Sequence, residues 1–342
     1  MGEDHETFVS LWRRLKTMTV PKRNVSLEQA DLLLSALPDL ARPVWRSFAP
    51  PYRVYLQQEA RMKTGLKRSQ LLSAEMAGHL TVTELPSAGK RNINYKADEI
   101  DHLRTLCEQT KPITQVASTW KLPIYAVEQF ASKKVLEHAD EPILAATHAL
   151  PRMRQESIER LSAHLLDGRS RSSAPTNARS LSKTIRMHGG AEKPWAAAFE
   201  ALLRSDIPWW IDGSNIDAST ILVLPEDVRE FGVRDIERDR IDALNWQLIS
   251  KRDASEILNA TPAQFQCIDQ EHTFSFTRVS KADLTSKTNI LALARDYICA
   301  AEIDERLKGL GRKIEWIRKL DNLDSSSLGW PREETVRRLD IL

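Results

Sequence analysis

The sequence predicts a mainly α-helical protein in which short two-helix modules with β-wings follow one another along the chain. Three observations predict it. Glycine is sparse, with 12 residues among 342, apolar residues recur at helical spacing, and one pattern of small and apolar positions occurs several times. Sparse glycine disfavours a turn-rich all-β fold and glycine-rich phosphate loops. A chain of this length has room for two or three domains.

The composition is that of a globular protein without strong bulk charge. Hydrophobic residues make up 42%, and 49 Lys and Arg against 47 Asp and Glu leave a net charge of +2. Any basic surface must therefore be local. The three cysteines, Cys107, Cys267 and Cys299, are widely spaced, which predicts no metal site and no disulfide framework. With no apolar signal core and no run of about 18 apolar residues, we expect a cytoplasmic chain without membrane contact.

Residues 1–93 are predicted to form an N-terminal helical region. The stretch from Ser26 to Leu37 has a capping pattern followed by one apolar face, and Pro38 ends it. Residues 69–80 form another predicted helix, followed by a loop with a short strand at residues 80–83. A domain boundary is placed near residues 89–94.

The central observation is a five-position pattern of small and apolar residues at offsets 0, +4, +6, +11 and +14. The first two positions share a face of one helix, the third fills a turn, and the last two form the inner face of a second helix. A unit of this kind can place its second helix in the major groove of DNA. The copies are Val116, Trp120, Leu122, Val127 and Phe130; Ala254, Leu258, Ala260, Phe265 and Ile268; and Ile303, Leu307, Gly309, Ile314 and Ile317.

The segment after each copy has the order of a winged helix. After the copy that begins with Ala254, Phe274 and Phe276 alternate as in a short hairpin, and residues 280–286 are typical of a helix start. Arg152 and Arg154 precede a predicted helix in the first copy. Trp330 and Arg332 occupy the same place after the last copy. Each pattern thus predicts helix, turn, helix, β-wing and closing helix.

A degenerate copy is predicted between the first two, with Phe199 and Leu202 on its second helix and a hairpin around residues 212–215. Residues 167–183 are rich in Ser and Arg and predict a flexible or extended linker. The predicted domains are residues 1–93 (N-terminal helical region), 94–167 (winged helix-turn-helix 1), 168–183 (basic Ser/Arg linker), 184–241 (degenerate winged helix-turn-helix 2), 242–295 (winged helix-turn-helix 3) and 296–342 (winged helix-turn-helix 4).

The stretch "LISKRDASEILNATPAQF", followed by "FSFTRVSKADL", resembles winged helix-turn-helix modules of the MerR/excisionase class. The tandem arrangement over residues 95–342 resembles the C-terminal half of TniQ-family proteins, which act in target-site selection by bacterial transposons. The resemblance implies a non-enzymatic DNA-binding adaptor without a cofactor. Its implied partners are double-stranded DNA and proteins of a recombination or transposition complex.

The residues expected to touch DNA are outward polar side chains of the second helices and cations of the wings and linker. Gln and Arg bind base edges bidentately, whereas Lys mainly meets phosphate. For each residue the alternative is an ordinary solvated surface position. The candidates are Tyr125, Gln129, Lys133, Lys134, Arg152, Arg154, Arg169, Arg171, Arg179, Gln264, Arg312, Lys313, Arg318 and Lys319.

Two other classes of function stay open. The first is a protein-interaction scaffold subunit of a recombination, replication or defence complex. Glu256, Asp269 and Glu271 flank the copy that begins with Ala254 and would repel phosphate, so that copy is expected to be structural, with the DNA contacts on the first and last copies. The second is an enzyme, which the sequence disfavours because it has no phosphate-binding loop, dinucleotide fingerprint, HExxH or GxSxG motif.

Overall fold

A computed structural model describes residues 53–85, 92–213, 215–229, 248–272, 274–279, 282–312 and 315–341. These residues are mainly helical with small antiparallel sheets, which confirms the predicted mainly α class. The chain divides into two compact units, Met1–Arg104 (unit 1) and Thr105–Leu342 (unit 2). The helices predicted before residue 53 and the boundary between predicted modules 2 and 3, at residues 241–242, lie outside the described residues.

Unit 1 contains a three-stranded antiparallel sheet of order β1-β3-β2. Tyr55 and Tyr95 are paired in register and buried, and Ala60, Leu71 and Ile100 are buried with them in the core. The elements are β1 (Val54–Leu56), α1 (Gln57–Thr64), α2 (Arg68–Met76), β2 (Val82–Leu85), β3 (Asn92–Lys96) and α3 (Ala97–Glu108), the last of which crosses the unit boundary.

The described part of the predicted N-terminal helical region contains strands beside its helices: α2 overlaps the helix predicted at residues 69–80, and β2 overlaps the short strand predicted at residues 80–83. The boundary predicted between residues 93 and 94 falls inside β3, which pairs with both β1 and β2. Strands of three to five residues are too short to show the alternation that identifies a strand in a sequence.

After the end of α3, unit 2 continues with a strand, a run of helices, and a strand that returns to pair with the first. Thr110 lies opposite Arg154 in this antiparallel pair. The elements are β4 (Thr110–Pro112), α4 (Ile113–Thr119), α5 (Ile124–Ser132), α6 (Pro142–Thr147), β5 (Arg152–Arg154) and α7 (Gln155–Gly168).

The next part of unit 2 has a three-stranded sheet of order β6-β8-β7. Its elements are β6 (Arg179–Ser180), α8 (Leu181–Thr184) with a 3-10 turn (Ile185–Met187), α9 (Trp195–Leu203), β7 (Trp209–Ile211), β8 (Ile221–Val223) and a helical stretch at 225–229. The linker predicted over residues 168–183 is too long. Arg179 pairs with Val223 in the sheet, and the fully buried Leu181 begins a helix.

A third sheet, of order β10-β11-β9, follows. Its elements are β9 (Leu248–Ser250), α10 (Lys251–Ile257), α11 (Pro262–His272), β10 (Thr277–Val279), β11 (Ala282–Ser286) and α12 (Lys287–Asp296). The helix start predicted at residues 280–286 is wrong, since 282–286 form β11. Ser286 caps the helix that follows, accepting a hydrogen bond from the Asn289 amide at 3.5 Å.

The last part of unit 2 departs most from the prediction. Its elements are β12 (Tyr297–Ile298), α13 (Ala300–Gly309), a 3-10 turn (Ile317–Lys319), β13 (Trp330–Pro331) and α14 (Arg332–Leu339). The second helix predicted here is present only as the 3-10 turn in the described residues. Ile317, predicted to face inward, is 62% exposed, while Trp316 and Leu320 are buried.

One backbone topology recurs five times in the described residues. Each time, the strand before the first helix pairs antiparallel with the strand that leads into a closing helix. The recurrences begin at β1, β4, β6, β9 and β12. Much of unit 2 shares an extended apolar core, in which the ring of Phe199 lies 4.7 Å from Phe130 and 5.7 Å from Trp120. None of the described helices has the length and apolarity to cross a bilayer.

Candidate nucleic-acid interface

The helix pair α1–α2 of unit 1 is joined by a tight turn. Gly65, at φ +70°, ends α1, and its amide donates to the carbonyl of Arg61 at 2.9 Å. Leu66 is buried and fills the angle between the helices. The Lys67 amide donates to Oε1 of Gln70 at 2.9 Å, which fixes the start of α2. This short turn therefore fixes the direction of α2 relative to α1.

This helix pair is a further copy of the five-position pattern. Ala60, Thr64, Leu66, Leu71 and Ala74 stand at offsets 0, +4, +6, +11 and +14, and all are buried except the half-buried Thr64. The copy is hard to recognise in the sequence because a polar residue stands at +4. The hydroxyl of Thr64 donates to the carbonyl of Ala60 at 2.7 Å, so the polar group of this side chain is hydrogen-bonded within its own helix.

The outer face of α2 is exposed and cationic at its start. Lys67, Arg68 and Ser69 are exposed at the beginning of the helix, and Leu72 and Met76 are exposed further along. The first turn contains no acidic residue. The backbone amides at a helix start add positive potential to that of the two cations. This end of α2 is suited to an anionic partner.

Several carboxylates of unit 1 are engaged inside the unit. Glu99 accepts from the Thr81 amide at 2.6 Å and the Thr81 hydroxyl at 2.8 Å, which ties the start of β2 to α3. Asp101 accepts from the Tyr55 hydroxyl at 3.0 Å. Glu75, the one carboxylate on α2, is half-buried and accepts from the Tyr95 hydroxyl at 3.4 Å. These three carboxylates thus have hydrogen-bond partners inside the unit.

Helix α5, the counterpart of α2 in the first part of unit 2, is packed on all sides. All nine of its residues are described, and none is exposed. Tyr125 is buried, and its hydroxyl bonds the Glu256 carboxylate and accepts from the Lys193 amide at 3.4 Å. Burial, reinforced by Glu256, raises the pKa of Tyr125 well above its usual value. The prediction that Tyr125 contacts DNA is wrong.

Gln129, also predicted to contact DNA, uses its amide inside unit 2. Its Nε2 donates to the Lys193 carbonyl at 3.1 Å, and its Oε1 accepts from the Ala196 amide at 3.3 Å. Both ends of the side chain are thus occupied by the turn before α9. The side chain that the sequence predicts to meet DNA is thus engaged in contacts within unit 2.

The two arginines assigned to a wing are also structural. Arg152 is buried, and its guanidinium donates to the Thr110 hydroxyl at 2.7 Å and to the carbonyls of Thr110 and Cys107 at 2.8 and 3.0 Å. Arg154 forms an ion pair with Glu141. The guanidinium of Arg152 is directed into the fold, so its predicted phosphate contact is wrong.

Two further predicted cations are paired within unit 2. Arg179 lies 2.6 Å from the carboxylate of Glu305. Arg312 lies 3.1 Å from the carboxylate of Asp340 and donates to its carbonyl at 3.0 Å. These cations are partly neutralised, so neither offers a free charge to phosphate.

The remaining predicted contacts lie at or near the surface of unit 2 but are scattered over different elements. Arg169, Arg171, Lys134 and Lys319 are exposed, Lys133 is half-buried, and Lys313 lies outside the described residues. Arg318 is exposed and lies 3.5 Å from Glu315. The structure does not gather them on one helix.

Helix α11 is another second helix with an exposed face, and it carries Gln264, Gln266 and Gln270 there. Oε1 of Gln264 accepts from the Thr261 amide at 2.9 Å, so this side chain also caps its own helix. None of the eleven residues of α11 is Lys or Arg. Asp269 lies 3.7 Å from Lys251, and Glu271 accepts from the Ser327 hydroxyl at 2.6 Å. This face has less positive charge than that of α2.

A thiol and an imidazole meet in unit 2. Sγ of Cys107 lies 3.7 Å from Nε2 of His148. Burial raises the pKa of Cys107 and lowers the pKa of His148 to about 4. The pair therefore holds a neutral thiol beside a neutral imidazole, whereas a nucleophilic cysteine needs thiolate character. In the part of the chain that is described, no group of three or more His, Cys, Asp or Glu side chains is placed to hold a metal.

Comparison with known proteins gives no relative: no family model, curated protein or solved structure matches the chain.

Proposed function

We propose that this chain is a DNA-binding adaptor that contacts duplex DNA through α2 of unit 1. The observation that carries the proposal is the exposed, cationic start of α2, held in a strand–helix–turn–helix–hairpin–helix arrangement. In winged helix-turn-helix proteins the second helix enters the major groove, and its first residues reach the base edges. Helix α2 is the described second helix that combines exposure with positive charge.

The side chains of α2 have distinct roles in this proposal. Arg68 and Ser69, in the first turn, reach base edges, and an arginine there can bind guanine O6 and N7 bidentately. Lys67, just before the helix, meets a phosphate. The β2–β3 hairpin, tied to α3 through Glu99, serves as the wing. Because few cations meet phosphates, the salt dependence of binding is modest. Each phosphate contact steepens the fall of log affinity with log salt concentration by about 0.9 on duplex DNA.

The test is binding of the full chain to a random-sequence duplex, followed by fluorescence anisotropy from about 50 to 200 mM salt. The natural chain binds with an affinity that falls with salt. The double variant Lys67→Ala, Arg68→Ala loses about tenfold or more in affinity and has a smaller slope. The matched control, Arg318→Ala with Lys319→Ala, removes an adjacent pair of exposed cations from unit 2 and leaves both quantities unchanged.

Two results would overturn the proposal. A flat response to salt in the natural chain would exclude DNA binding through phosphates. An affinity and a salt dependence left unchanged by Lys67→Ala with Arg68→Ala would place the contact outside α2.

A scaffold role is the second candidate, and it applies to unit 2. Helices α5 and α9 have no exposed side chain among their described residues, and α11 has no Lys or Arg. The second α-helices described in unit 2 thus lack the combination of exposure with Lys or Arg that α2 has, which favours contacts with proteins. The resemblance to TniQ proteins supports combining both roles in target-site selection. Pull-down of transposase-type partners by a chain carrying Lys67→Ala and Arg68→Ala tests the scaffold role apart from DNA binding.

A further inference from the structure

The exposed face of α2 is apolar beyond its first turn. Leu72 is 36% exposed and Met76 is 74% exposed. Arg68, Leu72 and Met76 are spaced by four residues, so they share one face of the helix. The core of unit 1 is filled by other residues of α2, the fully buried Leu71 and Ala74. Leu72 therefore belongs to the outward face.

The charge around this apolar surface favours DNA over an apolar partner. Lys67 and Arg68 border it on the side of the helix start, and Ser69 lies between them and Leu72 in sequence. In the major groove the cations can meet the phosphates that line its edges, while the apolar side chain beside them meets the bases. Thymine alone among the four bases presents a methyl group there.

We infer that Leu72 contacts a thymine methyl group, so that the chain prefers sites with thymine near a guanine read by Arg68. This inference rests on the proposed function of α2. Four residues of helix advance about 6 Å, close to two base-pair steps of about 3.4 Å. The site therefore has guanine and thymine about two base pairs apart. Met76, one turn further along, extends the apolar surface.

The experiment begins with selection of bound duplexes from a random pool by the full chain. The selected duplex is then synthesised with thymidine or with 2′-deoxyuridine, which differs by the absence of the methyl group. The natural chain binds the deoxyuridine duplex about fourfold more weakly for each methyl group that Leu72 covers. Leu72→Ala binds the thymidine duplex more weakly by a similar factor and shows no difference between the two duplexes.

The matched control is Leu166→Ala, which removes a leucine of similar exposure (42%) from unit 2 and keeps the full difference between the duplexes. Circular dichroism of each variant verifies that the fold is retained. Equal binding of the two duplexes by the natural chain overturns the methyl contact, and so does an undiminished difference in Leu72→Ala. With salt-dependent binding retained, these results leave the proposed function standing. Absence of salt-dependent binding to any duplex overturns the proposed function itself.

Discussion

Single buried charged side chains in unit 2 stabilise the fold. Arg152 links the two strands of its sheet through hydrogen bonds to Thr110 and to the carbonyl of Cys107. Burial lowers the pKa of this guanidinium, and the three acceptors compensate for its lost hydration. Removing the side chain would leave buried carbonyls without this donor.

Arg152→Ala is expected to lower the free energy of unfolding by about 2–4 kcal/mol, because buried acceptors lose a charged partner. DNA affinity at a temperature where the variant is folded stays that of the natural chain. Urea denaturation measures the first quantity and anisotropy the second. Arg171→Ala, at an exposed position, is the control and changes stability by less than about 0.5 kcal/mol. A stable Arg152→Ala variant with weakened DNA binding would restore this arginine as a phosphate contact.

Tyr125 and Gln129 show what the sequence could not predict about the DNA contact, namely which side chains of a second helix are engaged by other parts of the fold. Their partners lie on residues 192–196 and 256, more than 60 positions away. Helical spacing places a side chain on a face, but the element that covers that face is decided by packing over such distances. The basic start of α2 was within reach, since Lys67 and Arg68 follow a Gly-Leu turn in the sequence.

At the scale of elements, the helix–turn–helix of unit 1 depends on the left-handed residue Gly65. A Cβ added there would meet no atom within 4 Å, so the demand for glycine comes from its φ of +70° alone. The cap fixes where α1 ends and hence where α2 points.

Gly65→Ala is expected to destabilise unit 1 by about 1–2 kcal/mol, the cost of a left-handed conformation for a residue with a Cβ. Thermal denaturation followed by circular dichroism measures it. Gly168→Ala is the matched control, because its added Cβ would make only an ordinary contact with Trp209 at 3.9 Å. Equal stability of the Gly65→Ala variant and the natural chain would contradict a conformational role for this glycine.

Sequence pattern predicted some elements and not others, for physical reasons. At the copies that begin with Val116 and Ala254, apolar positions fall on real helix pairs, and nine of the ten positions are buried. At the copy that begins with Ile303, the first helix forms, but the second is reduced to a 3-10 turn in the described residues. There Trp316, one position before the predicted Ile317, fills the core. A pattern that counts apolar residues does not distinguish which of two neighbours turns inward.

Across the whole molecule, buried polar contacts join successive parts of unit 2. Lys193 is fully buried, and its ammonium lies 3.2 Å from the carboxylate of Glu256. Glu302, 2% exposed, pairs with Arg332 at 2.9 Å and Arg306 at 3.0 Å. Buried pairs of this kind need both partners. Most of them connect residues far apart in the sequence, so neither composition nor the net charge of +2 could reveal them.

Glu302→Ala is expected to destabilise unit 2 by about 3–5 kcal/mol, because two guanidinium groups lose their buried carboxylate. Chemical denaturation measures the loss. Glu315→Ala removes an exposed carboxylate that pairs with Arg318, and it is expected to change stability by less than about 1 kcal/mol. Similar stabilities of the two variants would show that the ion pairs of Glu302 with Arg306 and Arg332 do not stabilise the C-terminal part of unit 2.

The most direct test of the central claim, that α2 is the DNA contact, is hydrogen–deuterium exchange of the full chain with and without duplex DNA. Binding through α2 predicts slower exchange in peptides covering residues 66–77, with exchange unchanged at residues 262–272 of α11 and at residues 317–319. Slower exchange at residues 262–272 with none at 66–77 would contradict the claim and move the DNA contact to unit 2.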